Sequence, residues 1–238
     1  MHTRGVIIVW TVLIVALAAP IAHADLISRE EDWDGASTPT TTNWDFYRYR
    51  DTTPADGWQT ATGSLTPLVW DGTRFDINAG DPAVNQPYWS ETVTGIGGSL
   101  ANKTEWWAIA QWTSDQNALT LQAVLDSDYT TAINYIGGGN GQVVVAYHDV
   151  SEGTWSPLYN TTVPNGANIQ VGGGAGQISN ASFSMDSGDE LRVALRIAST
   201  SWGQASDRGL DFTVVPEPST LALFLAGFLC LFRLRVRS

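Results

Sequence analysis

Apolar side chains recur with a period of two between residues 25 and 215. Leu119, Leu121, Ala123 and Leu125 alternate with Thr120 and Gln122; Val143, Val145 and Tyr147 share one parity; Leu191, Val193, Leu195 and Ile197 alternate with Arg192 and Arg196. Successive strand side chains point to opposite faces, so this pattern predicts half-buried strands. The same reading predicts further strands at 45–50, 65–70, 88–93, 105–112, 154–160, 177–185 and 209–214. Turn residues separate them, among them Asp71-Gly72, Gly97-Gly98, the run from Gly137 to Gly141, Pro164-Asn165-Gly166, Gly172 to Gly174 and Ser187-Gly188-Asp189. No stretch shows the period of an amphipathic helix. About ten short strands punctuated by glycine predict an all-β fold, an antiparallel β-sandwich that is jelly-roll-like. Its expected core holds Leu121, Val143, Val145, Leu191, Val193, Leu195 and Phe212. The sandwich is expected over 60–215, and 25–59, richer in Thr, Asp and Pro, as an N-terminal extension with a leading strand.

Both ends depart from this pattern. Arg4 precedes an apolar run from Gly5 to Ala19, and Ala22-His23-Ala24 follows, which predicts a secretory signal peptide over 1–24 cleaved before Asp25. The other end reads Val215-Pro216-Glu217-Pro218-Ser219-Thr220, then twelve apolar residues over 221–232, then Arg233-Leu234-Arg235-Val236-Arg237-Ser238. The two prolines stop strand and helix alike. Twelve residues span about 18 Å as a helix, short of the ~30 Å hydrocarbon core, and Leu234 and Val236 lengthen the segment while the arginines reach the interface. Arg233, Arg235 and Arg237 form a membrane-stop cluster that stays cytoplasmic, which places the preceding chain outside.

This ordered tail over 216–238 resembles the PEP-CTERM protein-sorting signal of Gram-negative bacteria that make extracellular polysaccharide. The resemblance implies recognition and cleavage near Pro216, Glu217 and Pro218 by an exosortase, a membrane-embedded cysteine peptidase. It implies an exported precursor anchored in the inner membrane through the C-terminal helix, then release or transfer to the cell surface or extracellular space. The plain alternative is a C-terminal membrane anchor with a proline-rich hinge. The stretch from Trp112 through Asp149, with the closing strand at 209–214, also resembles the jelly-roll domains of bacterial PEP-CTERM exoproteins, which implies a fold and a secreted setting rather than an activity.

Composition sharpens this picture. Of 238 residues, 24 are acidic against 12 Lys plus Arg, and 43% are hydrophobic against 15% charged, enough for a real core. Removing 1–24 and the tail after Pro218 takes four arginines and no acids, leaving a body with a net charge of -16. Such a body repels phosphate backbones, which argues against nucleic acid as a partner. The single cysteine, Cys230, lies in the C-terminal apolar segment, so the body is stable without disulfides.

Catalytic patterns are scarce. His148 is the one histidine of the body; no G-x-S-x-G elbow or H-E-x-x-H accompanies it, and it reads as an exposed strand-end residue before Asp149. Asp186-Ser187-Gly188 lacks the second copy an aspartic protease needs and reads as a turn. Gly137 to Gly141 reads as a glycine-rich turn. Asp32-Trp33-Asp34 and Asp126-Ser127-Asp128 offer hard oxygen ligands to a structural calcium ion, with acidic solubilising loops as the plainer account; no other cofactor is expected.

Tryptophan is the excess with chemical meaning. Ten of the 11 lie in the body, and a sugar ring can stack an apolar C–H face on an indole while amides and carboxylates bond its hydroxyls. Filling a core is the plain reading of any one of them. Trp106 and Trp107 take opposite faces of one strand, and Trp155 and Trp202 are expected in loops; these four are the candidate carbohydrate contacts. The expectation is a non-enzymatic surface or matrix protein that associates with extracellular polysaccharide. A purely structural matrix protein and a glycan-active hydrolase or lyase are the alternatives.

Overall fold

A computed structural model describes residues 26–28, 44–50, 65–70, 75–76, 87–89, 94–96, 103–197 and 202–215. The signal peptide, the sorting tail and Asp32-Trp33-Asp34 lie outside the described residues. Among the described residues seventeen strands, numbered in chain order, form three sheets. The four-stranded sheet runs β1 (Leu26–Ser28), β17 (Leu210–Val214), β9 (Leu119–Leu125), β14 (Phe183–Met185). The six-stranded sheet runs β12 (Thr154–Val163), β11 (Gly141–Asp149), β15 (Glu190–Ile197), β8 (Trp106–Thr113), β2 (Trp44–Arg50), β3 (Thr66–Pro67). The seven-stranded sheet runs β13 (Ala167–Ile169), β10 (Ile133–Gly137), β16 (Gly203–Ser206), β7 (Thr94–Ile96), β6 (Pro87–Trp89), β5 (Phe75–Asp76), β4 (Val69–Trp70). All strand pairs are antiparallel, so the protein is an all-β sandwich as the alternation predicted.

One core joins the three sheets. Leu121 and Phe212 from the first, Val143, Val145, Leu191, Val193 and Leu195 from the second, and Ile133 and Tyr135 from the third are all buried together. The seven core residues expected from the alternation are all among them or beside them. A second cluster, Trp107, Ile109, Val144, Ala146 and Ala194, lies on the opposite face of the six-stranded sheet, with Tyr47, Tyr49, Leu65 and Trp155 packed against it.

Four expectations are corrected. Paired structure begins before residue 60: β1 bonds to β17, and β2 lies between β8 and β3 with Trp44 and Phe46 in the core, because the alternation of 44–50 serves a sheet with both neighbours in place. Only Phe183–Met185 of 177–185 is a strand, with Ile178 in an isolated bridge to Val171. His148 is buried rather than exposed, at 8%, because the Trp155 ring stacks on its imidazole and Glu190 lies beside it. Trp155 belongs to strand β12 rather than to a loop.

The glycine run is more than a turn. Gly137 ends β10 and Gly141 opens β11, neither with a positive φ. A Cβ on either, or on Gly203 of β16, would run into the buried Tyr135 ring, whose hydroxyl donates to the Gly139 carbonyl at 3.1 Å. These glycines make room for an aromatic ring beneath the sheet. The turn at Asp186-Ser187-Gly188 does need glycine's freedom, since Gly188 has φ +96°.

Candidate functional site

The four candidate tryptophans fall into three environments. Trp106 opens β8 half-buried against the core, with the Arg48 and Arg50 guanidiniums 5.0 and 5.7 Å from its ring centroid. Arg50 Nε also donates to Glu105 Oε2 at 2.9 Å. The ring is thus already engaged by cations of its own protein.

Trp107 and Trp155 share the outer face of the six-stranded sheet. Trp107 is 1% exposed because β8 is central, covered on both faces. The Arg196 guanidinium sits 4.9 Å from its ring, and Arg196 Nη2 donates to Gln142 Oε1 at 2.7 Å, which in turn donates through Nε2 to Asn160 Oδ1 at 2.8 Å. Trp155 reaches this face through a β-bulge. Val145 pairs with Tyr159 but Ala146 with Pro157, so the extra Leu158 reverses the parity and sends Trp155 outward while Tyr159 enters the core. Pro157, without an N–H, fits this edge strand.

The Trp155 ring lies parallel to the His148 imidazole, centroids 4.4 Å apart at 4°, with the Arg192 guanidinium 4.5 Å from it. Beneath runs a chain of bonds among groups with little solvent contact. Arg192, 1% exposed, donates through Nε to Gln111 Oε1 at 2.8 Å and through Nη2 to Glu190 Oε2 at 3.2 Å. Gln111 Nε2 donates to Glu190 Oε1 at 3.2 Å, and His148 Nδ1 lies 3.2 Å from Glu190 Oε2. Burial lowers the Arg192 pKa, opposed by Glu190 and Tyr47. Burial, then the Asp45 carboxylate, raises the Tyr47 phenol. This is a closed network whose members satisfy one another.

Trp202 is different. It is 41% exposed and immediately precedes β16, and its carbonyl accepts the Gly138 N–H at 2.8 Å, which extends the β10–β16 ladder by one pair. By strand parity it shares the outer face of the seven-stranded sheet with Gln204 and Ser206. Ile136, opposite Gln204, is 50% exposed, and in the next row Asn168, Asn134 and Ser206 lie side by side. Asn134 Nδ2 donates to Asn168 Oδ1 at 2.7 Å. An indole and an isoleucine thus face solvent at one end of a strip that continues in amides. Sequence reasoning named Trp202 and missed the rest. The alternation of Ile133, Tyr135 and Gly137 was the available signal for β10, hidden by the glycines that follow, and polar Gly203–Ser206 carries no apolar pattern at all.

Catalytic groups do not gather elsewhere among the described residues. Asp189 accepts the Val150 N–H on Oδ1 at 3.0 Å and the Asp186 N–H on Oδ2 at 2.7 Å, holding a turn. Asp126 Oδ1 accepts the Asp128 N–H at 2.8 Å, and no group of three or more His, Cys, Asp and Glu converges as a metal-ligand set among the described residues. Nor is any helix there long and apolar enough to cross a membrane.

Residues 214–238 match the family model of the PEP-CTERM protein-sorting motif. The chain carries a PEP-CTERM sorting motif. A PEP-CTERM motif marks an exported protein that is anchored in the membrane and then passed outward, in agreement with the Pro216-Glu217-Pro218 tail. No curated protein matches the chain. Similar solved structures include one titled "CBM4 structure and function", at 7% identity and a TM-score of 0.28, covering 58% of this chain and 84% of that one. Another is TmCBM61 in complex with beta-1,4-galactotriose, at 10% identity and a TM-score of 0.24, covering 53% and 83%. A third holds the CBM22-1 and GH10 modules of a Clostridium thermocellum endo-1,4-beta-D-xylanase with xylohexaose, at 10% identity and a TM-score of 0.24, covering 52% and 24%.

Proposed function

We propose that this PEP-CTERM protein is cleaved by an exosortase near Pro216, Glu217 and Pro218, reaches the cell surface or extracellular matrix, and associates there with polysaccharide without catalysing a reaction. The observation that carries the binding reading is the exposed Trp202 beside Ile136, continued by Gln204, Asn134 and Asn168 on one face. Adjacent large apolar side chains in water mark a contact surface, and the amides beside them suit a partner made of hydroxyls. The binding role is favoured over the catalytic one by the engagement of His148 and Glu190 in a closed network and of Asp189 in a turn.

Affinity electrophoresis tests the reading. Protein released from producing cells should be retarded in gels containing those cells' own exopolysaccharide, and Trp202→Ala should weaken the retardation about tenfold. Unretarded native protein would leave a purely structural role. Processing is tested by intact mass: the mature chain should lack Arg233, Arg235 and Arg237, and Ala at Pro216, Glu217 and Pro218 should leave an uncut, membrane-retained precursor. A surface-extracted chain still ending at Ser238 contradicts cleavage.

A further inference from the structure

We infer that the Trp202 strip takes neutral, hydroxyl-rich glycans and turns away polyuronates and sulfated chains; this rests on the glycan reading above and narrows it to a substrate class. The rows of the strip are Gly138 and Trp202, then Ile136 and Gln204, then Asn168, Asn134 and Ser206. Four residues of strand separate the first row from the last, about 13 Å, long enough for a short run of sugar rings to meet the indole at one end and the amides at the other. Every one of these side chains is uncharged.

Four described arginines are engaged on the six-stranded sheet. Arg192 and Arg196 lie on the outer face of the six-stranded sheet over Trp155 and Trp107, and Arg48 and Arg50 lie at Trp106. The next cation along the chain from the strip, Arg208, lies beyond the end of β16 with its guanidinium 5.5 Å from the Tyr129 ring. A carboxylate or sulfate on the strip would therefore lose water without gaining any of these four guanidiniums, at a cost well above that of an amide–hydroxyl exchange. The body's charge of -16 adds a repulsion that reaches about 10 Å from the surface at 0.1 M salt. Neutral chains feel neither penalty. Their binding is carried by stacking and amide–hydroxyl bonds, both indifferent to salt.

The experiment is affinity electrophoresis of the released protein in gels holding a neutral β-glucan, a neutral galactan, polygalacturonate or a sulfated galactan, each at low and at moderate salt. At least one neutral polymer should retard the protein equally at both salts. Asn168→Ala should weaken that retardation between about twofold and tenfold, the loss of one hydrogen bond, and Trp202→Ala more. The polyanions should leave mobility unchanged. Salt-sensitive retardation by polygalacturonate or sulfated galactan that Trp202→Ala abolishes would overturn the neutral class and leave the Trp202 contact standing. Equal neutral-polymer retardation of wild type, Trp202→Ala and Asn168→Ala would overturn the strip itself. Absence of retardation by every polymer, the producer's exopolysaccharide included, would overturn the polysaccharide reading with it.

Discussion

The outer faces of the six-stranded and seven-stranded sheets both carry tryptophan among polar residues, yet they hold it in opposite environments. On the first, Arg196 covers Trp107, and His148 and Arg192 lie against Trp155, with Gln111, Glu190 and Gln142 closing the bonds. On the second, Trp202 and Ile136 stand in solvent. The difference teaches that an indole is a ligand platform only where the protein has not already stacked its own cations and rings on it. Trp107 is buried as part of the fold, and Trp202 is left exposed, as the proposed contact requires.

The largest effects should separate these faces by stability. Trp107→Ala should cost about 3 to 5 kcal/mol in urea unfolding, the usual range for a buried aromatic. Arg192→Ala should cost about 2 to 4 kcal/mol, since it removes a buried side chain and leaves the buried Gln111 carbonyl without its donor. Trp202→Ala should cost about 1 to 2 kcal/mol, below either, since its ring is only partly covered. A Trp202→Ala chain as unstable as Trp107→Ala would erase the distinction.

Next in size is the support beneath the exposed strip. Gly137→Ala pushes a methyl into Tyr135 and should cost about 1 to 3 kcal/mol. Combined with Tyr135→Leu, which vacates part of that space, it should cost less than the sum of the two single changes. Strict additivity in the double-mutant cycle would show that the glycine is there for another reason.

Much of this architecture could be read from the sequence, and the limit is physical. Strand 119–125 announces itself because one side faces the core and the other is open, and 190–197 because its second face, though covered, carries Arg192 and Arg196 between apolar residues. The central strand β8 does not alternate, since both of its faces are buried, and Trp106 and Trp107 therefore looked equally available. The parity reversal at Trp155 depends on one extra residue opposite Val145 and Ala146, a property of pairing rather than of composition. Trp202 was nameable as a residue, whereas its companions Gln204, Asn134 and Asn168 come together only through the β13–β10–β16 register.

pH should distinguish the faces more gently. Burial raises the pKa of Tyr47, Tyr135 and Tyr159, with Asp45 adding to the effect at Tyr47. A raised folded value means the contribution is complete below the unfolded tyrosine value near 10 and is lost as pH rises through the folded value. The protein should lose stability in alkali, and Tyr47→Phe on the closed face should reduce that slope. A melting temperature as flat between pH 9 and 11 in wild type as in the variant would contradict this. The smallest effect belongs to Asp149, the last residue of β11, whose pKa is lowered by the Glu152 N–H and then the Ser151 hydroxyl. Its contribution is present above the unfolded aspartate value and lost as pH falls through the folded value. Asp149→Asn should therefore melt slightly below wild type at neutral pH, and the gap should close in acid.

Hydroxyl-radical footprinting read by peptide mass spectrometry, with and without a saturating neutral polysaccharide, tests the central contrast most directly. Trp202 should be oxidised readily in the free protein and protected when the polymer is present, while Trp107 should stay unmodified in both. Protection at Trp155 or Trp106 with Trp202 still oxidised at its free rate would contradict the assignment of the seven-stranded sheet's outer face as the contact surface.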